Sequence, residues 1–283
     1  MSTSLVGEAL GSGASTLGHI VLVGAGNMGG AMLQRWPEGT RITVIDPAPS
    51  EAMAGHMRVR GARHAVDARN VDAADILVLA VKPQLMSAVL PDLRPLVGPG
   101  TLVLSVAAGI TIAALSDALG TDRIVRTIPN TPAMIGQGVT AVFAAPPVED
   151  DARRAAQTLL EASGSVVWME EEADIDRATA LSGSGPAYLF HLVEALARAG
   201  HDLGLEGKTA NALARQTVIG AAALLAASED TPATLRERVT SKGGTTAAAL
   251  AVLMDENGLG ELMTKAARAA HQRAVALSRE EDE

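Results

Sequence analysis

The 283-residue chain has no cysteine. That excludes disulfides, thiolate metal sites and a cysteine nucleophile together, and it makes the reducing cytoplasm the expected compartment. Aromatic residues are scarce as well, two Trp, one Tyr and two Phe, although 48% of the chain is hydrophobic. The core must therefore be built from Ala, Val, Leu, Ile and Met, side chains that let backbones approach closely. No stretch offers the roughly 18 uninterrupted apolar residues of a membrane span. The opening MSTSLVGEALGSGASTLGH lacks both the charged start and the sustained apolar run of a signal peptide, and residues 1–18 read as a loose Ser/Gly tail. Basic residues are the minority, 23 Lys and Arg against 32 Asp and Glu for a net charge of −9. Such a balance argues against a nucleic-acid partner and means that an anionic substrate needs a dedicated local site.

At this length one large domain or two smaller ones are reasonable, and the pattern predicts two. From His19 to about Glu170, apolar runs alternate with helix-like stretches: HIVLVG, RITVID, DILVLAV, TLVLSV, RIVRTI, GVTAVFA and SVVWME. Alternation of this kind predicts an α/β domain with a mostly parallel sheet over residues 19–171. The runs are Val-, Ile- and Leu-rich, as expected of strands buried on both faces. Glu170-Glu171-Glu172 reads as a solvated turn between domains. Residues 172–283 contain no further strand run and form an Ala- and Leu-rich helical domain. Within it Leu189, Leu192, Val193 and Leu196 share a helical face, and Thr231-Pro232 supplies an N-cap and first helical residue. So small a unit, filled with alanine, buries limited area alone, and a homodimer through this domain would enlarge its core.

The first chemical motif is the loop in HIVLVGAGNMGGAM. Gly24, Gly26 and Gly29 stand in GxGxxG spacing between a strand and a helix, and a second strand ends in Asp46, about 20 residues on, as a dinucleotide fingerprint requires. The glycines provide a tight turn, close approach to a pyrophosphate and tight helix packing, with the phosphates at the positive end of the helix. Asp46 would accept hydrogen bonds from the adenosine ribose hydroxyls and repel a 2′-phosphate, so NADH is expected to be used at least as well as NADPH. Residues 47–50 offer no cation to a phosphate; the alternative is a basic side chain, such as Arg35, folding in.

Two loops in the helical domain are the other candidates. Ser241-Lys242-Gly243-Gly244-Thr245-Thr246 can converge amides and hydroxyls at a helix start, where a carboxylate is well held. Taken alone it reads more readily as a glycine C-cap followed by a threonine N-cap. Leu181-Ser182-Gly183-Ser184-Gly185-Pro186-Ala187-Tyr188 reads as a capping loop with Pro186 near the first turn. Two such loops in one small domain shift the weight toward a site. The six histidines are scattered without ligand spacing, and no metal is expected.

VTSKGGTTAAAL at Val239–Leu250 resembles the signature of the pyrroline-5-carboxylate reductase family, with Lys242 where that family usually has Pro and Met254 where it usually has a polar residue. LAVKPQ at Leu79–Gln84, RTIPNTPAMIGQGVT at Arg126–Thr140 and LSGSGPAY at Leu181–Tyr188 resemble the same family in the same order, over roughly residues 19 to 275. The resemblance implies a Rossmann-type domain followed by a helical dimerisation domain. It implies reduction of L-1-pyrroline-5-carboxylate to L-proline by hydride transfer from NAD(P)H, the last step of proline biosynthesis, in a homodimer or a larger homo-oligomer. The cofactor would lie against Gly24, Gly26, Asn27, Met28 and Gly29, with Asp46 at the ribose, and against Ala80, Val81, Lys82, Pro83, Ala107 and Asn130. The substrate would be held by Ser241, Gly243, Gly244, Thr245 and Ser184, and the hydroxyl of Thr246 would face the imine nitrogen as the catalytic group. The competing readings are a hydroxy-acid or other imine reductase of the same architecture, which would want a catalytic lysine, and a non-catalytic dinucleotide sensor.

Overall fold

The computed structural model describes residues 17–280 as two compact units, 17–178 together with 275–280, and 179–274. The boundary expected after Glu171 thus lies inside the first unit, which also takes in the last turns of the chain. Of the expected tail, residues 1–16 lie outside the described residues, and Leu17 is only 7% exposed within the core.

The first unit is a sheet of eight strands: β1 (His19–Val23), β2 (Arg41–Ile45), β3 (Arg63–Ala65), β4 (Ala74–Leu79), β5 (Val97–Ser105), β6 (Ile124–Pro129), β7 (Gly138–Ala144) and β8 (Gly164–Trp168). Their spatial order is β3-β2-β1-β4-β5-β6-β7-β8, parallel throughout except for the antiparallel pairing of β6 with β7. All seven apolar runs are strands. β3 is an addition, a polar, mostly exposed strand next to β2 at the sheet edge. Its register shows little in sequence because an edge strand of this kind needs no apolar face.

Alternation along β1 sends Ile20 and Leu22 to one side of the sheet and Val21 and Val23 to the other. On the first side Met32 and Leu33 of α1 (Asn27–Arg35) and its C-cap residue Trp36 complete the core, with Met53 and Met57 of α2 (Glu51–Val59) and Leu159 of α5 (Asp150–Glu161). On the second, Leu90 and Leu93 of α3 (Met86–Leu93) and Leu115 and Leu119 of α4 (Ile112–Leu119) do the same. β1 and β6 are buried along their whole length, which is why they read as continuous apolar runs.

An ion pair is buried inside this unit, between Arg126 and Asp176. Arg126 of β6 is 2% exposed. Its guanidinium donates to Glu172 Oε1 at 3.0 Å, to Asp176 Oδ1 at 2.7 Å and to Ser278 Oγ at 3.3 Å. Asp176 belongs to α6 (Ala173–Ala178). Glu172 also accepts the amide of Ile112 at 2.8 Å, so it is no solvated turn residue as its run of three glutamates implied. It is drawn in because a buried guanidinium must be met by opposite charge.

The second unit holds α7 (Gly185–Asp202), α8 (Gly207–Ala226), α9 (Pro232–Arg238), α10 (Thr245–Leu253) and most of α11 (Leu259–Glu280), whose end belongs to the first unit. Thr231 caps α9 as expected, accepting the Thr234 amide at 3.2 Å with Pro232 in the first turn. Within a single chain α7 buries only Ala197, and α8 only Ala210 and Ala214. The predicted face of α7 is exposed at Leu189, Leu192 and Leu196, and Phe190 beside it is 66% exposed. Among the described residues no helix is long and apolar enough to cross a membrane.

Replacing Arg126 by Met would leave two carboxylates facing a site from which water is excluded. Removing one partner of a buried ion pair typically costs about 3–5 kcal/mol, so the Arg126→Met protein is expected to unfold at clearly lower urea concentration, and an unchanged midpoint would refute the stabilising role of the cluster.

Candidate active site

The glycine loop is shaped by contacts that forbid side chains. Gly24 has φ +88°, and a Cβ there would lie 2.8 Å from the Ala80 carbonyl oxygen and from Val81 Cγ1. A Cβ on Gly29 would come within 2.2 Å of the Gly24 carbonyl oxygen, because α1 packs straight onto the loop. Gly26 is the opposite case, with open space where its side chain would be. It forms the N-cap of α1 without a side-chain acceptor, and the first turn, which begins with Asn27 and Met28, carries no acidic residue. The loop therefore offers bare backbone and unopposed N–H groups where an anion would sit, which fits a dinucleotide pyrophosphate.

From this loop opens a cleft of about 400 Å³, lined by Gly24, Gly26, Asp46, Val81, Lys82 and Val89 among others. Asp46 directly follows β2 and faces back to the loop. Its Oδ2 accepts the Ala25 amide at 2.8 Å and its Oδ1 the Ala48 amide at 2.9 Å. The carboxylate thus pins the glycine loop to the end of β2, and each oxygen retains a lone pair for a further donor. Arg35 does not fold in here, since its Nη2 donates to the Met134 carbonyl at 3.2 Å.

The remaining residues of this group follow strand ends. Ala80 directly follows β4 and its amide donates to the Val23 carbonyl at 2.8 Å. Lys82 caps the short helical turn that starts at Pro83. Ala107, just beyond β5, is buried, and its amide reaches Ser105 Oγ at 3.4 Å. Asn130, directly after β6, is buried too, and its Oδ1 accepts the Val139 amide at 2.9 Å, so its side chain also fixes the entry to β7. All of them stand at the carboxyl ends of parallel strands, where open α/β sheets bind their ligands. Sequence reasoning did not single out Asp67 and Asp92, which line the same cleft. The missed edge strand β3 carries the chain to Asp67.

In the second unit Gly243 has φ +71°. The Gly244 amide donates to the Ser241 carbonyl at 3.0 Å, and a Cβ on Gly244 would lie 2.4 Å from Ser241 Oγ. The N-cap of α10 is Gly244 and it supplies no side-chain acceptor. The simpler alternative of a threonine N-cap is therefore not formed: Thr245 and Thr246 are the first helical residues, leaving a helix start without a capping oxygen of its own. Lys242 is exposed.

The other loop opens with a π-helical turn, Thr179–Gly183, closed by the Ser184 amide on the Thr179 carbonyl at 2.8 Å. Ser184 is the N-cap of α7, and Pro186 lies in its first turn. Tyr188 donates its hydroxyl to the Ala180 carbonyl at 2.9 Å and braces the turn. Turns of this type are frequent at functional sites.

Residues 19–109 match the family described as NADP oxidoreductase coenzyme F420-dependent, and residues 172–277 match the family described as pyrroline-5-carboxylate reductase dimerisation. The pyrroline-5-carboxylate reductase of Pseudomonas aeruginosa is 42% identical over 268 residues, spanning 92% of this chain and 97% of the relative. A solved pyrroline-5-carboxylate reductase from Coxiella burnetii is 37% identical with a TM-score of 0.84, covering 93% of this chain and 99% of that one. A Plasmodium falciparum pyrroline carboxylate reductase, solved with NADP bound, is 26% identical with a TM-score of 0.76, covering 92% and 98%. Likeness of this extent takes in the glycine loop, the π turn and the Ser241–Thr246 turn together, and the chain belongs to the pyrroline-5-carboxylate reductase family.

Proposed function

We infer that the protein is an oxidoreductase that reduces L-1-pyrroline-5-carboxylate to L-proline with NAD(P)H. The observation that carries this reading is the uncapped start of α10 behind the Gly243-Gly244 turn, in a chain that matches pyrroline-5-carboxylate reductases over nearly its whole length. A carboxylate is the ligand that such a helix start favours, through its free N–H groups and its dipole. The amides of Gly243, Gly244 and Thr245 and the Ser241 hydroxyl would hold the substrate carboxylate, with Ser184 on the same substrate.

When bound, the reduced nicotinamide supplies the hydride that is added to C5 of the ring. The chain's own part is to bind, align and keep the imine nitrogen supplied with a hydrogen bond, so that orientation carries most of the rate enhancement. The Thr246 hydroxyl would donate to that nitrogen in the neutral imine and accept from its N–H once it is protonated. Threonine is too weak an acid to protonate it, so the iminium proton enters with the substrate or through water. The dehydrogenase alternative wants a catalytic lysine, and Lys265 is instead paired with Glu261 at 3.2 Å. The cysteine-free composition suits the cytoplasm.

For the cofactor, the Asp46 carboxylate at the end of β2 favours a free ribose over a 2′-phosphate, and Arg35 is engaged elsewhere. NADH is therefore used at least as well as NADPH. The chain forms homo-oligomers, and the second unit is the element that pairs, because the apolar faces of α7 and α10 are left bare, with Val252 72% exposed. A symmetric partner would bury them.

Three outcomes test this. With pyrroline-5-carboxylate as substrate, oxidation of NADH should proceed with kcat/KM no lower than that of NADPH; a strong NADPH preference overturns the role given to Asp46, and no turnover with either overturns the activity. Thr246→Ala should lower kcat/KM by about tenfold, the worth of roughly 1–2 kcal/mol for one hydrogen bond, while leaving cofactor affinity unchanged. Equal kcat/KM in mutant and parent would remove Thr246 from the reaction. In sedimentation at micromolar concentration the protein should run as a dimer or larger, and a stable 28.9 kDa species would refute pairing.

A further inference from the structure

Beyond Asp46 the cleft is bounded by the loop that follows β3. The Asp46 amide donates to the Ala65 carbonyl at 3.0 Å, and His64 Nε2 lies 2.8 Å from the Asp46 carbonyl oxygen. The ends of β2 and β3 therefore run side by side, and Val66, Asp67 and Ala68 continue the cleft wall. The loop has a defined form. Asp67 Oδ1 accepts the Arg69 amide at 2.9 Å, Asn70 adopts a left-handed backbone with φ +62°, and Arg63 donates to the Asn70 carbonyl at 2.9 Å.

Within this loop Asp67 also governs a neighbouring cation. Its Oδ2 accepts from Arg69 Nε at 3.0 Å and from Nη2. The Arg69 side chain is 85% exposed and does not line the cleft with Asp46. The charged groups that do line it are Asp46, Asp67 and Asp92 against Lys82. Hydrogen bonds from the Arg69 side chain, and then from its amide, hold the Asp67 carboxyl below the usual carboxylate range, and the same pairing raises Arg69 above the usual guanidinium value. Both partners are therefore charged at every pH at which the enzyme would be assayed.

We propose that Asp67 is a second determinant of cofactor selectivity: it sets a carboxylate at the ribose end of the cleft and keeps the Arg69 guanidinium turned outward, so that a free 2′-hydroxyl is accepted and a 2′-phosphate is not. This rests on the reading that the cleft takes the adenosine half of NAD(P)H. Without the Asp67 charge, one repulsion disappears, and Arg69 gains the freedom to pair with a phosphate in the geometry that suits guanidinium best.

The test measures binding of NAD⁺ and NADP⁺, which differ only by the 2′-phosphate, by calorimetry on the full-length parent and on D67N. The ratio of the two dissociation constants should move about tenfold toward NADP⁺ in D67N, and should move back in D67N/R69A. D67S, which still offers an acceptor to the Arg69 amide, gives the same answer if D67N folds poorly. An unchanged ratio in variants that still bind NAD⁺ overturns the role of Asp67. A shift that survives undiminished in D67N/R69A overturns the part given to Arg69. Failure of the parent to bind either dinucleotide overturns the cleft assignment itself, and with it this proposal. A parent that prefers NADP⁺ overturns both the Asp46 reading and this one, since the two carboxylates together are given the task of refusing the 2′-phosphate.

Discussion

A guanidinium shut away from water has to be met by opposite charge, and the first unit is organised around that requirement at Arg126. Two segments far apart in sequence answer it: Glu172 and Asp176, just before and within α6, and Ser278 near the end of α11. Glu172 hands the constraint on by accepting the amide of Ile112 at the head of α4. One buried charge thus aligns β6, α4, α6 and the chain terminus, and β6 is the strand whose end carries Asn130. Replacing such a cluster with apolar residues can leave a protein as stable as before, so what the cluster contributes most clearly is a single arrangement of these elements.

Much of this architecture was legible in the amino-acid pattern, for a physical reason. Strands covered on both faces must be apolar along their whole length, and β1, β2, β4, β5 and β6 announced themselves in that way. β3 did not, because Arg63-His64-Ala65 pairs on one side only and has little apolar surface to cover. Glu172 was misread for a related reason. In a run of three glutamates nothing local distinguishes the one that turns inward, since its partner Arg126 is 46 residues away.

At the site, spacing carried the glycine loop well, because Gly24 and Gly29 are demanded by contacts within the loop and its own helix. It said less about Asp46. From sequence this was a carboxylate awaiting a ribose; in the structure it holds the Ala25 and Ala48 amides, a role within the fold that spacing did not show. The Ser241–Thr246 turn read more readily as a glycine C-cap followed by a threonine N-cap, and the structure differs in having Gly244, and no threonine, as the N-cap. Asp67 escaped notice altogether, as its importance comes from an edge strand that the hydrophobic pattern does not reveal.

The place of Ser278 has a consequence in time. The first unit is made almost wholly of residues that leave the ribosome early, and nascent chains generally fold their leading domain first. Yet the Asp176 carboxylate and the Ser278 hydroxyl that share Arg126 are separated by 102 residues of chain, and a Cβ on Gly109, which has φ +80°, would lie 3.1 Å from Leu277 Cβ. The last-made turns of α11 are therefore parts of the first-made unit. Until they emerge, Arg126 lacks one of its partners and the ground beside Gly109 is bare, so the leading unit closes only after the helices of the second unit have been made.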